Sequence, residues 1–306
     1  MDISIIILNW NGLEFLEQSI PSIISAVDVY DNNCEVIVVD SGSSDQSIDY
    51  VNSNFPKIRV ISLNENLAFT KAMNIGIKEA KRPLVICLNN DIIVDKGFIA
   101  PLVSHFSDDK NLFAVASKML LWDKNTLNFG RTAGSFRYGF FTKRIFDSAT
   151  AAYTLYACAG GLAVDKDKFW ELGGFDEDMI IYWEDLDLCY RAWKQGWKTI
   201  YEPRSIIYHK FHGTYAKKCG ENGIGKISGE NYLLFVLKNI HDRTLFYPQL
   251  FLLPVLILAA VLAGKSHFAI GLLRSLRRWP LFFKKRCLEK KKAIFSDKQV
   301  FWFSGQ

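Results

Sequence analysis

An α/β layered fold around a buried, mostly parallel sheet is predicted by three observations on this 306-residue chain. Short runs rich in Ile and Val recur through the first ninety residues, stretches with helical spacing separate them, and polar residues follow each run at its carboxyl end. The first strand is Ile3–Leu8. Leu16, Ile20, Ile23 and Ile24 then recur at intervals of three and four, which places them on one face of a helix. Val36–Val39 is the second strand, and Ile48 with Val51 marks a second helix. Ile58–Leu63 is the third strand; Phe69, Ala72, Met73, Ile77 and Ala80 form the apolar face of a third helix, and Leu84–Leu88 is the fourth strand. Such alternation makes helices packed on the faces of a parallel sheet the expected architecture.

In an open sheet of this kind, ligands bind beyond the carboxyl ends of the strands. Those ends carry Asn9 and Asn11, then Asp40-Ser41-Gly42, Asn64-Glu65-Asn66 and Asn89-Asn90-Asp91. Each group alone reads equally well as a turn or a helix cap; four in succession on one rim point to a ligand. The loop after the first strand is Asn9-Trp10-Asn11-Gly12, so the glycine fingerprint of dinucleotide folds is missing. Gly220-Glu221-Asn222-Gly223-Ile224-Gly225-Lys226-Ile227 approaches a phosphate-binding loop. It has Ile227 where a Mg²⁺-binding hydroxyl is needed and no buried strand before it, so it is expected to be a mobile Gly-rich loop.

Composition narrows the function classes. Apolar residues make up 49% of the chain and charged residues 23%, which excludes a disordered chain and a small disulfide scaffold. The six cysteines form no C-x-x-C pair and read as thiols in a reducing compartment. Met1-Asp2 followed by a strand lacks the basic start of a secretory signal, so the N-terminus is expected in the cytoplasm. The net charge of +5 hides two opposite parts: residues 265–306 hold eleven Lys/Arg against Glu289 and Asp297, while residues 1–264 are net −4. The basic residues flank an apolar stretch and form no recognition helix, which argues against nucleic acid as a partner.

Five blocks in order resemble a family 2 glycosyltransferase of the GT-A fold, in the bacterial rhamnosyltransferase-like branch, over residues 3 to 240 or so. They are Ile6-Ile7-Leu8-Asn9-Trp10-Asn11; Val38-Val39-Asp40-Ser41-Gly42-Ser43-Ser44-Asp45; Asn66 with Phe69, Asn74 and Gly76; Leu88-Asn89-Asn90-Asp91; and Gly173-Gly174-Phe175-Asp176-Glu177 with Trp183-Glu184-Asp185-Leu186-Asp187-Leu188 and Arg191. The resemblance implies an inverting transfer of one sugar from a nucleoside-diphosphate donor, a UDP- or dTDP-sugar, to a glycan or lipid-linked acceptor in cell-wall or O-antigen polysaccharide synthesis. It implies nucleotide-sugar binding by Asn9, Asp40, Asn66, Asn89, Asn90 and Asp91, with Asp40 on the base. Leu67 departs from the glycine common at its position. Asp91 stands at the metal-ligating end of an Asp-x-Asp motif whose first position is Asn89 here, and His209 or His212, with His209 preferred, completes a shell for Mg²⁺ or Mn²⁺. Asp185 corresponds to the general base and Glu184 to a residue that holds the acceptor or the base. Repulsion among Glu184, Asp185 and Asp187 is expected to raise at least one pKa. Gly160, Gly161 and Trp183, with Gly173-Gly174, are placed beneath the sugar and acceptor.

Leu245–Gly264 is a run of twenty uncharged residues, about 30 Å as a helix, interrupted by Pro248 and Pro254. A single crossing would export the basic end, against the positive-inside tendency. The expected arrangement is therefore a domain at 1–240 and a membrane-associating helical tail at 241–306, an interfacial or re-entrant segment or a tight hairpin with Ala269–Leu273. It would hold the protein to the anionic cytoplasmic face of the inner membrane. A processive polysaccharide synthase is the alternative enzyme. Its Gln-x-x-Arg-Trp signature is approached by Ser275-Leu276-Arg277-Arg278-Trp279, which lacks the Gln. A catalytically inactive nucleotide-sugar-binding protein at the membrane is the alternative of another class.

Overall fold

The computed structural model describes residues 1–30, 33–210 and 214–305, without the side chains of 214–219. Its first third follows the expected alternation: β1 (Ile3–Asn9), α1 (Leu13–Tyr30), β2 (Cys34–Asp40), α2 (Ser47–Asn54), β3 (Arg59–Ser62), α3 (Phe69–Glu79) and β4 (Leu84–Asn89). The β1 residues Ile3, Ile5, Ile6 and Ile7 are fully buried because helices cover both faces of the sheet. Leu16, Ile20 and Ile23 turn one face of α1 to the core, and Ala72, Met73 and Ile77 do the same for α3.

The middle of the chain adds β5 (Ile92–Val94), α4 (Ile99–Asp108), β6 (Leu112–Leu121), β7 (Leu127–Phe129), a hairpin of β8 (Arg131–Arg137) and β9 (Phe140–Phe146), β10 (Ala152–Tyr153) and β11 (Gly161–Asp165). Then come α5 (Lys166–Glu171), α6 (Glu184–Lys194) and β12 (Lys198–His209). The main sheet runs β10-β12-β6-β11-β4-β1-β2-β3, with β5 joined to β12 and β7 to β6; β8 and β9 form a separate ribbon. The four expected strands are parallel neighbours, whereas β11 lies antiparallel between β4 and β6, so the sheet is mixed. Parallel register sets Asn9 opposite Asp40, and Leu8 opposite Asn89, which collects the polar strand ends on one rim.

The last part is helical: α7 (Thr214–Asn239), α8 (Arg243–Phe251), α9 (Leu253–Leu262), α10 (Ser266–Ser275), α11 (Trp279–Lys292) and α12 (Asp297–Ser304). Two expectations change here. The Gly-rich stretch 220–227 is no loop: after Gly220 (φ +61°) it continues helical in α7. Glycines on both helices serve the crossing with α10: a Cβ on Gly225 would lie 3.2 Å from His267 Cβ, one on Gly229 2.1 Å from the Phe268 carbonyl oxygen, and one on Gly271 of α10 2.1 Å from that of Lys226. Secondly, several basic residues of the C-terminal part face the protein. Arg278 bonds Glu230 and Asp178, Lys285 bonds Asp176 and Asp178, and Arg286 donates to the carbonyls of Leu237 and Ile240. Lys265, Arg277, Lys284, Lys290, Lys291 and Lys292 remain exposed, with no ion pair among the described residues.

Residues 241–306 also feed the central core. Phe246, Leu272, Phe282 and Val300 belong to the same buried cluster as Ile5 and Val38. Phe301 of α12 packs on Phe136, Phe141 and Tyr190. Among the described residues no single helix is long and apolar enough to cross a membrane; α8 and α9 together reach that length but bend by 55°. Phe251, Val255, Leu258 and Leu262 leave an apolar surface there, with Phe251 84% exposed.

Candidate active site

The rim begins with a buried amide and carboxylate network. Asn9 Nδ2 donates to Asp40 Oδ1 at 2.8 Å, and Asn9 Oδ1 accepts from Asn90 Nδ2 at 2.7 Å. Asp40 also accepts from the Ser43 hydroxyl and backbone N–H, at 2.6 and 2.9 Å. Each end of this chain of bonds comes from a different parallel strand, so β1, β2 and β4 are tied together at their carboxyl ends. Asp40 is 1% exposed and both its oxygens already have protein donors. It organises the loop at least as much as it offers an edge to a ligand. Asn66 sits exposed in the loop between β3 and α3, against Gly42; Ser41 Oγ accepts from the N–H of Leu67 at 2.9 Å and so closes that loop onto β2.

Asp91 lies between β4 and β5, one residue beyond Asn90, and is nearly buried. His209 ends β12, and its Nε2 lies 3.4 Å from Asp91 Oδ2, while Nδ1 meets Asn128 Oδ1 at 3.1 Å. Asp91 Oδ1 is buried with no hydrogen-bond partner. A hard carboxylate oxygen left without a donor, beside an imidazole fixed through its other nitrogen, fits a divalent cation. Among the described residues no group of three His, Cys, Asp or Glu gathers here. His212 lies outside the described residues.

The carboxylates of α6 stand on a strained turn. Tyr182 and Trp183 both have left-handed backbone, φ +63° and +73°, which costs about 1–3 kcal/mol each for residues other than glycine and persists only where the surroundings impose it. They do so here. Asn231 of α7 donates to the carbonyls of Ile181 and Tyr182 at 2.9 and 2.8 Å, and Trp183 Nε1 donates to Ser228 Oγ at 3.2 Å. Trp183 itself is wedged among Phe141, Tyr232 and Phe235. The next two residues, Glu184 and Asp185, open α6.

Three neighbouring carboxyls meet three different environments. Burial and then the adjacent Asp185 charge push Glu184 well above the usual carboxylate range. Burial also raises Asp185, against the opposing pull of Lys143 and of the N–H of Leu186, which donates at 2.7 Å. Asp187 goes the other way. Although fully buried, it accepts from Arg191 Nε, Lys238 Nζ and Asn239 Nδ2 at 2.9, 2.9 and 2.7 Å, and the two cations outweigh desolvation and lower its pKa. Arg191 continues to the carbonyls of Leu172 and Gly174, and Asn74 clasps both backbone groups of Phe175. The Gly173-Gly174-Phe175 turn is thus a brace between α3 and α6.

The two halves of the site share one segment. A Cβ on Gly160 would lie 3.0 Å from Asn89 Nδ2, and the N–H of the preceding Ala159 bonds the Asp185 carboxylate, so the β4 end and the start of α6 lie on one side. Gly161 has a packing reason instead: its Cβ would lie 2.3 Å from Ile207 Cδ1. Sequence reasoning missed Lys143. It arrives from β9 with its ammonium 4.6 Å from the centre of the Trp183 ring and 5.0 Å from that of Tyr156. No motif surrounds it, and only the fold of the hairpin brings it in.

Comparison with known proteins bears on the fold and the family. A structure of GalNAc-T7 with UDP, GalNAc and Mn²⁺ superposes with a TM-score of 0.64 at 17% identity, covering 95% of this chain and 57% of that one. The mannosyltransferase PcManGT of Pyrobaculum calidifontis, with GDP-Man and Mn²⁺, gives 0.56 at 15% identity over 99% of this chain and 85% of that one. These likenesses show the GT-A-like fold. Poly-beta-1,6-N-acetyl-D-glucosamine synthase of Staphylococcus aureus (strain COL) is 26% identical over 212 residues, 67% of this chain and 49% of that protein. The chain therefore spans about half the length of that curated relative. The family model described as Glycosyl transferase family 2 matches residues 4–173, a span that includes Asn9, Asp40 and Asp91 and ends before Glu184. With more than half of its length matched, this chain belongs to glycosyl transferase family 2.

Proposed function

We propose that the chain is an inverting glycosyltransferase that moves one sugar from a nucleoside-diphosphate donor to a glycan or polyprenyl-linked acceptor in cell-surface polysaccharide synthesis. The observation that carries this is the Ala159-Gly160 segment, which touches Asp185, with its raised pKa, on one side and Asn89 on the other, two residues before Asp91 with its orphaned oxygen. Asn9, Asn66, Asn89 and Asn90 line the donor side, with Asp40 supporting them. Asp91 and His209 would hold Mg²⁺ or Mn²⁺, which when bound supplies neutralisation of the charge developing on the leaving diphosphate. Asp185 takes the proton of the acceptor hydroxyl as it attacks. Direct displacement of this kind inverts the anomeric centre. The rhamnosyltransferase-like motifs and the hexosamine named for the staphylococcal synthase suggest different sugars, and the donor screen below separates them.

The test is thermal unfolding with UDP-, dTDP- and GDP-sugars, each with and without Mn²⁺ or Mg²⁺. One donor is expected to stabilise the chain in a cation-dependent way, and donor turnover with a lipid-linked acceptor should follow. Stabilisation by no nucleotide sugar would sink the reading, and binding without turnover would favour an inactive binding protein. Asp91→Ala is expected to abolish the cation-dependent part of donor stabilisation while leaving the unliganded melting temperature close to that of the parent. Donor binding indifferent to both chelator and this substitution would remove Asp91 from the cation site.

We further propose attachment to the anionic cytoplasmic face of a membrane. The apolar surface of α8 and α9 and the six exposed basic residues support this, each basic residue adding about 1 kcal/mol near such a surface. Cys287 is exposed on α11. In intact cells it should resist an impermeant thiol reagent and react after lysis, with Cys287→Ser as control; labelling from outside would refute the topology.

A further inference from the structure

Glu184 and Asp185 are adjacent carboxyls that differ in everything that decides where a charge resides. Glu184 is 6% exposed and its Oε2 is buried with no hydrogen-bond partner. An ionised carboxylate left in that state is costly, because nothing replaces its hydration. Asp185 is half-buried and is met by the N–H groups of Leu186 and Ala159. The cation of the neighbourhood is Lys143, lodged over the Trp183 and Tyr156 rings, and its charge acts on both carboxyls. Among the described residues, the other titratable groups interacting with the pair carry no free charge. Burial pushes Tyr156 on the segment before β11 well up, and raises Cys158 on that segment and Cys189 of α6 far enough to keep them neutral at pH 7. Asp187 is neutralised by Arg191 and Lys238.

We propose that the pair carries a single negative charge, that Lys143 is the positioning residue which places this charge on Asp185, and that Glu184 stands beside it as a neutral carboxylic acid. This rests on the reading of Asp185 as the base and deepens it. A doubly ionised pair would repel itself in a poorly solvated corner, and a pair ionised on Glu184 would leave the base protonated and idle. The cation that prevents both is carried by the β8–β9 hairpin, outside every block that carries the family resemblance. Resting on aromatic faces and not on a carboxylate, Lys143 keeps its charge available to the pair.

The experiment is infrared spectroscopy of the full chain, which needs no substrate. At pH 7 a protonated-carboxyl C=O band is expected in the parent, shifted when the protein is labelled with ¹³C-glutamate and missing in Glu184→Gln. The labelled parent alone decides this if the variant folds poorly. The Asp185 carboxylate band, assigned by its loss in Asp185→Asn, is expected to titrate about one pH unit higher in Lys143→Met than in the parent and to return in Lys143→Arg, since the Lys143 charge pulls the Asp185 pKa down. A glutamate pair-member that is ionised at pH 7, or an Asp185 titration unmoved in Lys143→Met, overturns the proposal. Activity retained in Asp185→Asn would overturn the base reading instead and leave these spectra to stand by themselves.

Discussion

Asp185→Asn is expected to fold as the parent does and to lose sugar transfer by a factor on the order of 10² to 10⁴, the usual worth of a positioned general base. The substitution keeps shape and removes only the ability to accept a proton. Asp185 accepts the Leu186 N–H within its own helix turn, and an amide oxygen accepts that bond equally well. The pH profile carries the sign. Burial raises the pKa of Asp185, so its basic form is lost as pH falls through that raised value, and transfer should rise with pH along the acidic limb. Retained turnover in the Asn variant, measured as release of nucleoside diphosphate from the donor found in the screen, would remove Asp185 from the role.

Asp187→Ala should be the most destabilising single change near the site, by about 3–5 kcal/mol, because it strips a buried charge from between two cations. Arg191 and Lys238 are 3% and 4% exposed at their side chains; Arg191 would lose its carboxylate partner, and Lys238 would be left with Asp176, which Lys285 already shares. Against a typical total of about 5–15 kcal/mol, that is about a fifth of the stability or more. Linkage gives a second readout. Asp187 and Asp176 both have folded pKa values held below the ordinary one by Lys238 and its neighbours. Their contribution is therefore present above the pKa of an unfolded aspartate, and is lost as pH falls through the lowered folded values. Urea unfolding at pH 7 and at pH 3 should show a steep acid loss in the parent and a flatter one in Asp187→Ala. An unchanged urea midpoint at pH 7 would show that the network is dispensable.

These two neighbours look alike in the chain and do different work, which marks the limit of reading residues in order. A cluster of three carboxyls within four residues announces perturbed ionisation, with at least one of the three expected to shift upward. That Asp187 moves down depends on Arg191 and on Lys238 and Asn239 of α7, about fifty residues away, against the opposing charge of Asp176. The C-terminal basic residues show the same limit. Their density suggested one membrane-facing surface, yet Arg278, Lys285 and Arg286 turn inward because the acidic turn at 176–178, Glu230 and the end of α7 offer them partners.

What the chain determined by itself is local and periodic. Apolar runs of strand length, helical spacing between them and polar residues at each carboxyl end were enough to place β1 to β4, and a parallel sheet then has to bring those ends to one rim. Asn9, Asp40, Asn90 and Asp91 were legible for that reason. Only the tertiary structure decided what happens across distance. It inserted β11 antiparallel beside β4, made a helix crossing of the Gly-rich stretch, imposed left-handed backbone on Tyr182 and Trp183 through Asn231, and carried Lys143 to the carboxyl pair. The physical reason is common to all four. Hydrophobic periodicity is a property of neighbouring residues, whereas a close approach, a strained turn or a charge partner is held in place by groups that meet only once the chain has packed.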